Sequence, residues 1–336
     1  MEYSQLGDSD LTVSRICLGT AFRSEPDLEI GVAAIHAAAD VGCNYLDTAN
    51  FYRNGHSEEI IGHALRGRRD KYIVSSKVGS PMQDVPGSGG LSHAEIMRAS
   101  EASLRRLGTD YMDCYVCHFP DEQTPLEETF RALDELVQQG KVRHVGVSRF
   151  EGWRLNETLG ICNRERLATP VCNQVGYSLL DRRLEDEVIP FCLRRGVGVT
   201  LFATTQIGLL NGGCRYGQPP PAGSSWDRGP YNYREAMTAQ VDQVVEAVID
   251  IAMARNVTPS QVAMAWCLAV PGITSVITGA DSAERVQENC LAAELKLTAN
   301  ELDRLDRVSA GHRLEIRKDC PEGYEERVAK GEFRTK

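Results

Sequence analysis

The chain has 336 residues, 42% hydrophobic and 25% charged, which is enough apolar content for a large core and argues against a disordered chain. Its formal net charge of −10 argues against the concentrated basic face that nucleic-acid binding requires, leaving room for local basic pockets. No apolar run reaches the roughly 18 to 20 residues needed to span a bilayer, and Met1-Glu2-Tyr3-Ser4-Gln5 is unlike a signal peptide, so a cytoplasmic protein acting on small molecules is expected.

Residues 2–6 and 11–14, separated by Gly7-Asp8, predict a short hairpin, and a core strand follows over 15–18. Leu28, Val32, Ile35 and Ala39 recur at steps of four, three and four, the period of an amphipathic helix that Gly42 ends. The strand over 44–46 runs into Asp47. A second helix is expected from Ser57 as N-cap, with Glu58 and Glu59 in its first turn. The strand over 73–76 ends on Lys77. A loop rich in Gly, Pro and Ser leads to Ser92-His93-Ala94-Glu95, which reads as a capping box opening a helix to about residue 107. The strand over 112–117 ends on His118, and Thr124-Pro125-Leu126-Glu127 reads as a second capping box. Strands over 142–147, 171–175, 197–202 and 275–278 alternate with helices over 151–162, 184–195, 240–269 and 283–292, and a last helix covers 299–309. This alternation without a long linker predicts one (β/α)8 barrel over residues 1–312 with an N-terminal hairpin cap. The charged tail over 313–336 lacks a readable period.

Eleven cysteines scattered through apolar segments read as reduced core thiols. Cys114-Tyr115-Val116-Cys117-His118 has the spacing of a c-type haem attachment site, yet on a strand residues 114 and 117 point to opposite faces. Neither haem nor metal is expected. The chain carries no G-x-G-x-x-G after a strand, no Walker loop and no G-x-S-x-G elbow, so hydrolase and classical Rossmann readings lose support.

Asp47, Lys77 and His118 occupy the tips of successive predicted strands, with Tyr52 on the loop above them, and in a barrel such tips converge at the mouth. A phenol, with an ordinary pKa near 10, needs a neighbouring cation to exchange protons near neutral pH. Lys77 can supply that cation, Asp47 can keep it charged, and His118 can hydrogen-bond the same substrate oxygen. Such a group protonates a carbonyl, or deprotonates an alcohol, while something else moves a hydride. Singly, each of these residues is more often a loop salt bridge or partial core, and His56 and His144 read as structural.

Leu46-Asp47-Thr48-Ala49 with Tyr52, Ser76-Lys77-Val78-Gly79, Ser103 through Tyr111 with Asp113, His118 with Pro120, and Gly140-Lys141-Val142-Arg143 before Gly146-Val147-Ser148 together resemble the aldo-keto reductases. The likeness is collinear from about residue 3 to 309. It implies a barrel with a hairpin cap, carbonyl reduction or its reverse, Tyr52 as acid/base tuned by Asp47 and Lys77, and His118 orienting the substrate. It also implies NADP(H), with NAD(H) as the alternative, bound extended at the mouth.

By the same resemblance Ser148 and Gln174 grip the nicotinamide carboxamide, Phe202 stacks on the ring, and Thr204, Gln206 and Gly208 belong to the pyrophosphate loop. Gly279, Asp281, Arg285, Glu288 and Asn289 match the adenosine-binding turn and helix. Arg149 stands where the family usually has Asn, a feature shared with its potassium-channel β subunits, and Ala203-Thr204-Thr205 replaces the usual Ser-Pro-Leu. A cofactor-sensing regulatory subunit with slow turnover is therefore the alternative function. Polar, glycine-rich loops over 78–91 and 212–233, with Trp226, Tyr231 and Tyr233 as candidate walls, are compatible with sugar or keto-sugar substrates. Oligomeric state is unreadable.

Overall fold

Short apolar strands with alternating inward and outward side chains decide the architecture. The computed structural model describes residues 1–22, 26–229, 231–279 and 282–314, with backbone alone at Arg228. An antiparallel hairpin, β1 (Tyr3–Gln5) and β2 (Thr12–Ser14), precedes β3 (Ile16–Gly19), α1 (Leu28–Asp40), β4 (Tyr45–Asp47), α2 (His56–Leu65), β5 (Ile73–Val78) and α3 (His93–Leu107). Then come β6 (Met112–Cys117), α4 (Leu126–Gln138), β7 (Val142–Ser148), α5 (Gly152–Glu165), β8 (Pro170–Gly176), α6 (Val188–Arg195) and β9 (Gly198–Phe202). Two short helices, α7 (Ser225–Arg228) and α8 (Tyr233–Ala236), lead to α9 (Ala239–Arg255), α10 (Pro259–Ala269), β10 (Ile273–Gly279), α11 (Ala283–Cys290) and α12 (Ala299–Ser309).

Strands β3 to β10 close into a barrel in the order β10-β3-β4-β5-β6-β7-β8-β9, the (β/α)8 architecture that the alternation predicts. The chain forms two compact units. The first comprises Met1–Val175, Glu187–Leu201 and Gly272–Cys290 and holds nearly all of the strand residues; the second comprises Gly176–Asp186, Phe202–Pro271 and the described residues from Leu291 onward. In the second unit α9 packs against α10 and α12.

Inside the first unit the hairpin closes one end of the barrel. Leu6, Leu11 and Val13 pack with Cys17, Tyr45, Cys114, Val116, Val171 and Cys172 in one buried cluster, each large apolar side chain contributing about 1.5–3 kcal/mol of burial. Gly7 makes the close approach possible: its φ is +56°, and a Cβ there would lie 2.1 Å from the Val171 carbonyl oxygen. Cys114 joins this interior cluster with its Sγ 3.9 Å from that of Cys172. Cys117, three residues along β6, faces the other way, and burial, then Cys162 and Asp121, push its thiol up to about 12. The cysteines among the described residues are free and buried, as core thiols.

Local signals at helix starts fare unevenly. Ser92 caps α3 by accepting from the Glu95 backbone N–H at 3.4 Å, but the Glu95 carboxylate turns to Gly89 N and Arg98 instead of completing the box. Thr124 caps nothing; its hydroxyl donates to Asp121 at 2.7 Å and α4 starts behind Pro125. Ser57 is not an N-cap either, because α2 begins one residue before it, behind a left-handed Gly55 (φ 96°). Complete capping boxes form at Thr258/Gln261 and Thr298/Glu301.

Gly146 of β7 shows how tightly the interior is filled. A Cβ there would meet Cys172 Sγ at 2.6 Å, Val116 Cγ2 at 3.1 Å and Cys114 Sγ at 3.2 Å. Gly146→Ala is expected to destabilise the protein by roughly 1–3 kcal/mol through overpacking, measurable as a lowered urea midpoint. An unchanged midpoint contradicts the packing described.

Candidate active site

Asp47 is the last residue of β4, Lys77 the next to last of β5, His118 follows β6, Ser148 ends β7 and Gln174 lies near the end of β8. Parallel pairing sets Asp47 beside Ser75, Lys77 beside Val116 and Ser148 beside Gln174, so these tips share one rim.

The Lys77 side chain is fully buried. Its Nζ donates to Asp47 Oδ2 at 2.6 Å and to the Thr48 carbonyl at 2.7 Å, and lies 3.4 Å from the Tyr52 hydroxyl. An ammonium has three protons to donate, and this geometry directs one at each neighbour. Burial acts to lower the Lys77 pKa, but the Asp47 carboxylate and then Tyr52 outweigh it, and the net shift is upward. Asp47 is held from a second side, because Gln174 Nε2 donates to its Oδ1 at 2.8 Å. The Gln174 carbonyl in turn accepts from Ser148 Oγ at 2.8 Å and from the Arg149 backbone N–H at 2.9 Å.

Tyr52 opens a 3-10 turn, Tyr52–Gly55, in which Arg53 (φ 49°) and Asn54 (φ 55°) are left-handed. Non-glycine residues adopt that conformation at a cost of order 1–2 kcal/mol each. Surrounding contacts hold it: Arg53 donates to the Pro26 carbonyl at 3.1 Å, Asn54 N–H to Phe51 O at 2.9 Å, and the Asn54 amide to Asp84. Behind the turn, fully buried Glu58 accepts from Arg106 Nε at 2.7 Å and from Ser76 Oγ. Arg106 also packs so closely under Gly55 that a Cβ there would lie 2.8 Å from its Cδ.

His118 is 5% exposed. Its ring meets Tyr52 edge-on at 5.8 Å and Phe51 at 5.1 Å, and Ser80 Oγ lies 3.4 Å from its Nδ1. The structure thus brings together all four residues that the sequence nominates and adds Ser80, Phe51 and Phe119, whose roles no motif signals. His56 and His144 instead pair with Glu59 and Asp10.

The residues expected to hold a cofactor divide. In the first unit, Asn289 uses its amide on Thr278 Oγ1 at 2.8 Å, at the end of β10 close to Gly279, and Arg285 and Glu288 are exposed on α11. Asp281 lies outside the described residues. In the second unit the loop after Phe202 is left-handed at Ala203, Gln206, Ile207 and Gly208, and it closes on itself, with the Gly208 N–H donating to the Thr205 carbonyl at 3.0 Å. Thr204 is buried in it. The Gln206 side chain is engaged by Ser178 and the Leu314 carbonyl, and its backbone N–H donates to the Ala203 carbonyl at 2.7 Å. Phe202 packs against Gly176, where a Cβ would be 3.0 Å from its ring. Trp226 and Tyr233 are buried in the same unit, bonded to the Ile207 and Arg215 backbones.

Residues 15–310 match the Aldo/keto reductase family. An Arabidopsis thaliana protein described as a probable voltage-gated potassium channel subunit beta is 33% identical over 338 residues, covering 96% of this chain and 100% of its own length. The uncharacterized oxidoreductase YrpG of Bacillus subtilis is 34% identical, covering 93% of this chain and 97% of its own. The versiconal hemiacetal acetate reductase of Aspergillus parasiticus is 30% identical, covering 91% and 96%. The chain belongs to the aldo/keto reductase family of oxidoreductases. Among its described residues no helix is long and apolar enough to cross a membrane.

Removing Arg106 strands the buried Glu58 charge behind the Tyr52 turn. Arg106→Met is expected to cost about 3–5 kcal/mol in urea unfolding, whereas Arg131→Met, which breaks the surface pair with Glu165, is expected to leave the midpoint nearly unchanged. Equal effects from the two substitutions contradict the assignment of Glu58 as the anchor.

Proposed function

We propose that this chain interconverts an aldehyde or ketone and its alcohol by hydride transfer with a nicotinamide cofactor, with Tyr52 as the acid/base. The observation that carries the reading is the Tyr52 hydroxyl 3.4 Å from a fully buried Lys77 ammonium that Asp47 holds at 2.6 Å. In the reducing direction Tyr52 gives its proton to the carbonyl oxygen as that oxygen gains negative charge. The phenolate left behind faces the Lys77 cation and recovers its proton from solvent. In the oxidising direction the same phenolate takes the alcohol proton. His118, beside Tyr52, donates a second hydrogen bond to the substrate oxygen and fixes its approach.

A bound nicotinamide supplies or accepts the hydride. Support for its fit comes from Gln174, whose Nε2 is engaged by Asp47 while its Oε1 has no donor among the described residues, leaving it for a carboxamide N–H beside Ser148. Phe202 offers an aromatic ring, and the turn carrying Thr204, Gln206 and Gly208 is assigned to the pyrophosphate, the Gln206 and Gly208 N–H groups already donating to Ala203 and Thr205 within it. Gly279, Glu288 and Asn289 are assigned to the adenosine end. The family uses NAD(P)(H), and we assign NADP(H) as the better ligand, because Arg285 in the first turn of α11 suits a 2′-phosphate. Asp281 acts in the opposite sense, and the preference is modest.

A second reading has its own support: Arg149 occupies the position after Ser148, and relatives at 33–34% identity are described as potassium channel β subunits. On that reading the chain senses cofactor state and turns over slowly. Rapid multiple turnover of aldehydes, keto-sugars or alcohols, followed at the nicotinamide absorbance, supports the enzyme; tight cofactor binding with only single slow turnovers supports the sensor.

Tyr52→Phe is expected to reduce turnover by roughly 10²–10⁴-fold while NADPH affinity, read by fluorescence titration, stays within about twofold, since only the transferable proton is lost. Activity within about tenfold of the parent rules out Tyr52 as the acid/base. Arg285→Ala is expected to lower the NADPH to NADH affinity ratio by about tenfold, the low end of a charge-assisted bond. An unchanged ratio removes Arg285 from recognition of the 2′ position.

A further inference from the structure

A histidine ring turns about a soft, broad torsion, so what touches its faces decides where its distal nitrogen points. At His118 one face is covered by the next residue in the chain and the surroundings by the turn after β4. Phe119, the next residue in the chain, folds back so that its ring stacks on the imidazole, with centroids 4.7 Å apart and planes 17° from parallel. The Arg149 guanidinium, from the end of β7, lies over the same phenyl ring, its carbon 4.6 Å from the centroid. Phe51 and Tyr52 border the imidazole at 5.1 and 5.8 Å.

Arg149 reaches Phe119 from a left-handed backbone (φ 62°), a conformation unfavourable for arginine. The Gln174 carbonyl holds it there by accepting the Arg149 N–H, and the Gln174 side chain binds Asp47. One residue thus connects the backbone that aims Arg149 with the carboxylate that holds Lys77. Phe119 is half-buried and Arg149 exposed, so neither is needed to fill the core.

We propose that Phe119 and Arg149 are positioning residues: Arg149 holds the Phe119 ring, and the Phe119 ring fixes the His118 imidazole in the orientation that meets the substrate oxygen. This clamp rests on the reading of His118 given above. Its contribution is geometric, and small displacements of a catalytic group cost rate more than binding.

The test is a double-mutant cycle on the NADPH-bound protein, measuring single-turnover reduction of 4-nitrobenzaldehyde. Phe119→Leu, which keeps bulk and removes the ring face, is expected to slow hydride transfer about tenfold with NADPH affinity unchanged, and Phe119→Tyr to restore the rate. In a His118→Ala background Phe119→Leu is expected to have no further effect beyond about twofold, because the residue through which it acts is gone. The same factor in both backgrounds, or no effect in the parent, overturns the clamp. A His118→Ala protein with parental activity overturns the reading of the site as well as the clamp. A crippled His118→Ala beside a neutral Phe119→Leu overturns the clamp alone. The His118 ring protons, assigned by their loss in His118→Ala, give a readout independent of turnover. Their ring-current shift is expected to disappear in Phe119→Leu, to persist in Phe119→Tyr and to change in Arg149→Met; resonances unmoved in Phe119→Leu overturn the clamp.

Discussion

A lysine ammonium enclosed by protein is the constraint on which the rest of the rim depends. Taking Lys77 out of water costs several kcal/mol unless its three protons find acceptors, and the fold provides them from β4 and the turn beyond it: the Asp47 carboxylate, the Thr48 carbonyl and the Tyr52 hydroxyl. Asp47 must then be held as well, and Gln174 does so from β8. Ser148 ties β7 to the same residue. A charge on one strand thereby fixes the tips of three others. Because Asp47 and Tyr52 outweigh the desolvation, the ammonium stays charged across the neutral range.

Tyr52 is held differently. It opens a turn with two left-handed non-glycine residues, a conformation that persists because the contacts around it leave no alternative. Glu58 and Arg106 form the floor of that turn, a buried ion pair whose desolvation makes it a weak source of stability. Its value lies in placing the phenol against Lys77. Strain and a buried charge thus meet behind Tyr52, while the hairpin closes the opposite end of the barrel by apolar packing.

The sequence makes some of this readable and leaves the rest hidden. Strand and helix periods reveal the barrel, and the placement of Asp47, Lys77 and His118 at strand tips foretells that they meet on one rim, because both follow from local alternation. Ser92 keeps its capping role, but Thr124 and Ser57 do not, since Asp121 competes for one hydroxyl and a left-handed Gly55 displaces the other from the cap position. The bond from Gln174 to Asp47 spans 127 residues, and no spacing rule connects them. Ser80, Phe51 and Phe119 were equally hidden, because a ring that stacks on an imidazole looks in sequence like any core aromatic. The left-handed turns at Ala203 and from Gln206 to Gly208 were also hidden, because none of Ala, Gln or Ile signals such backbone in sequence.

The central claim is that the Lys77 charge drives proton transfer at Tyr52. Its most direct measurement is the single-turnover rate of hydride transfer from bound NADPH to 4-nitrobenzaldehyde in Lys77→Met, alongside Asp47→Asn/Lys77→Met, which removes the charge together with its partner and leaves no stranded carboxylate. The account predicts that both fold, by circular dichroism, bind NADPH and transfer hydride roughly 10²–10⁴-fold more slowly than the parent. A rate within about tenfold of the parent in the folded double variant would contradict it.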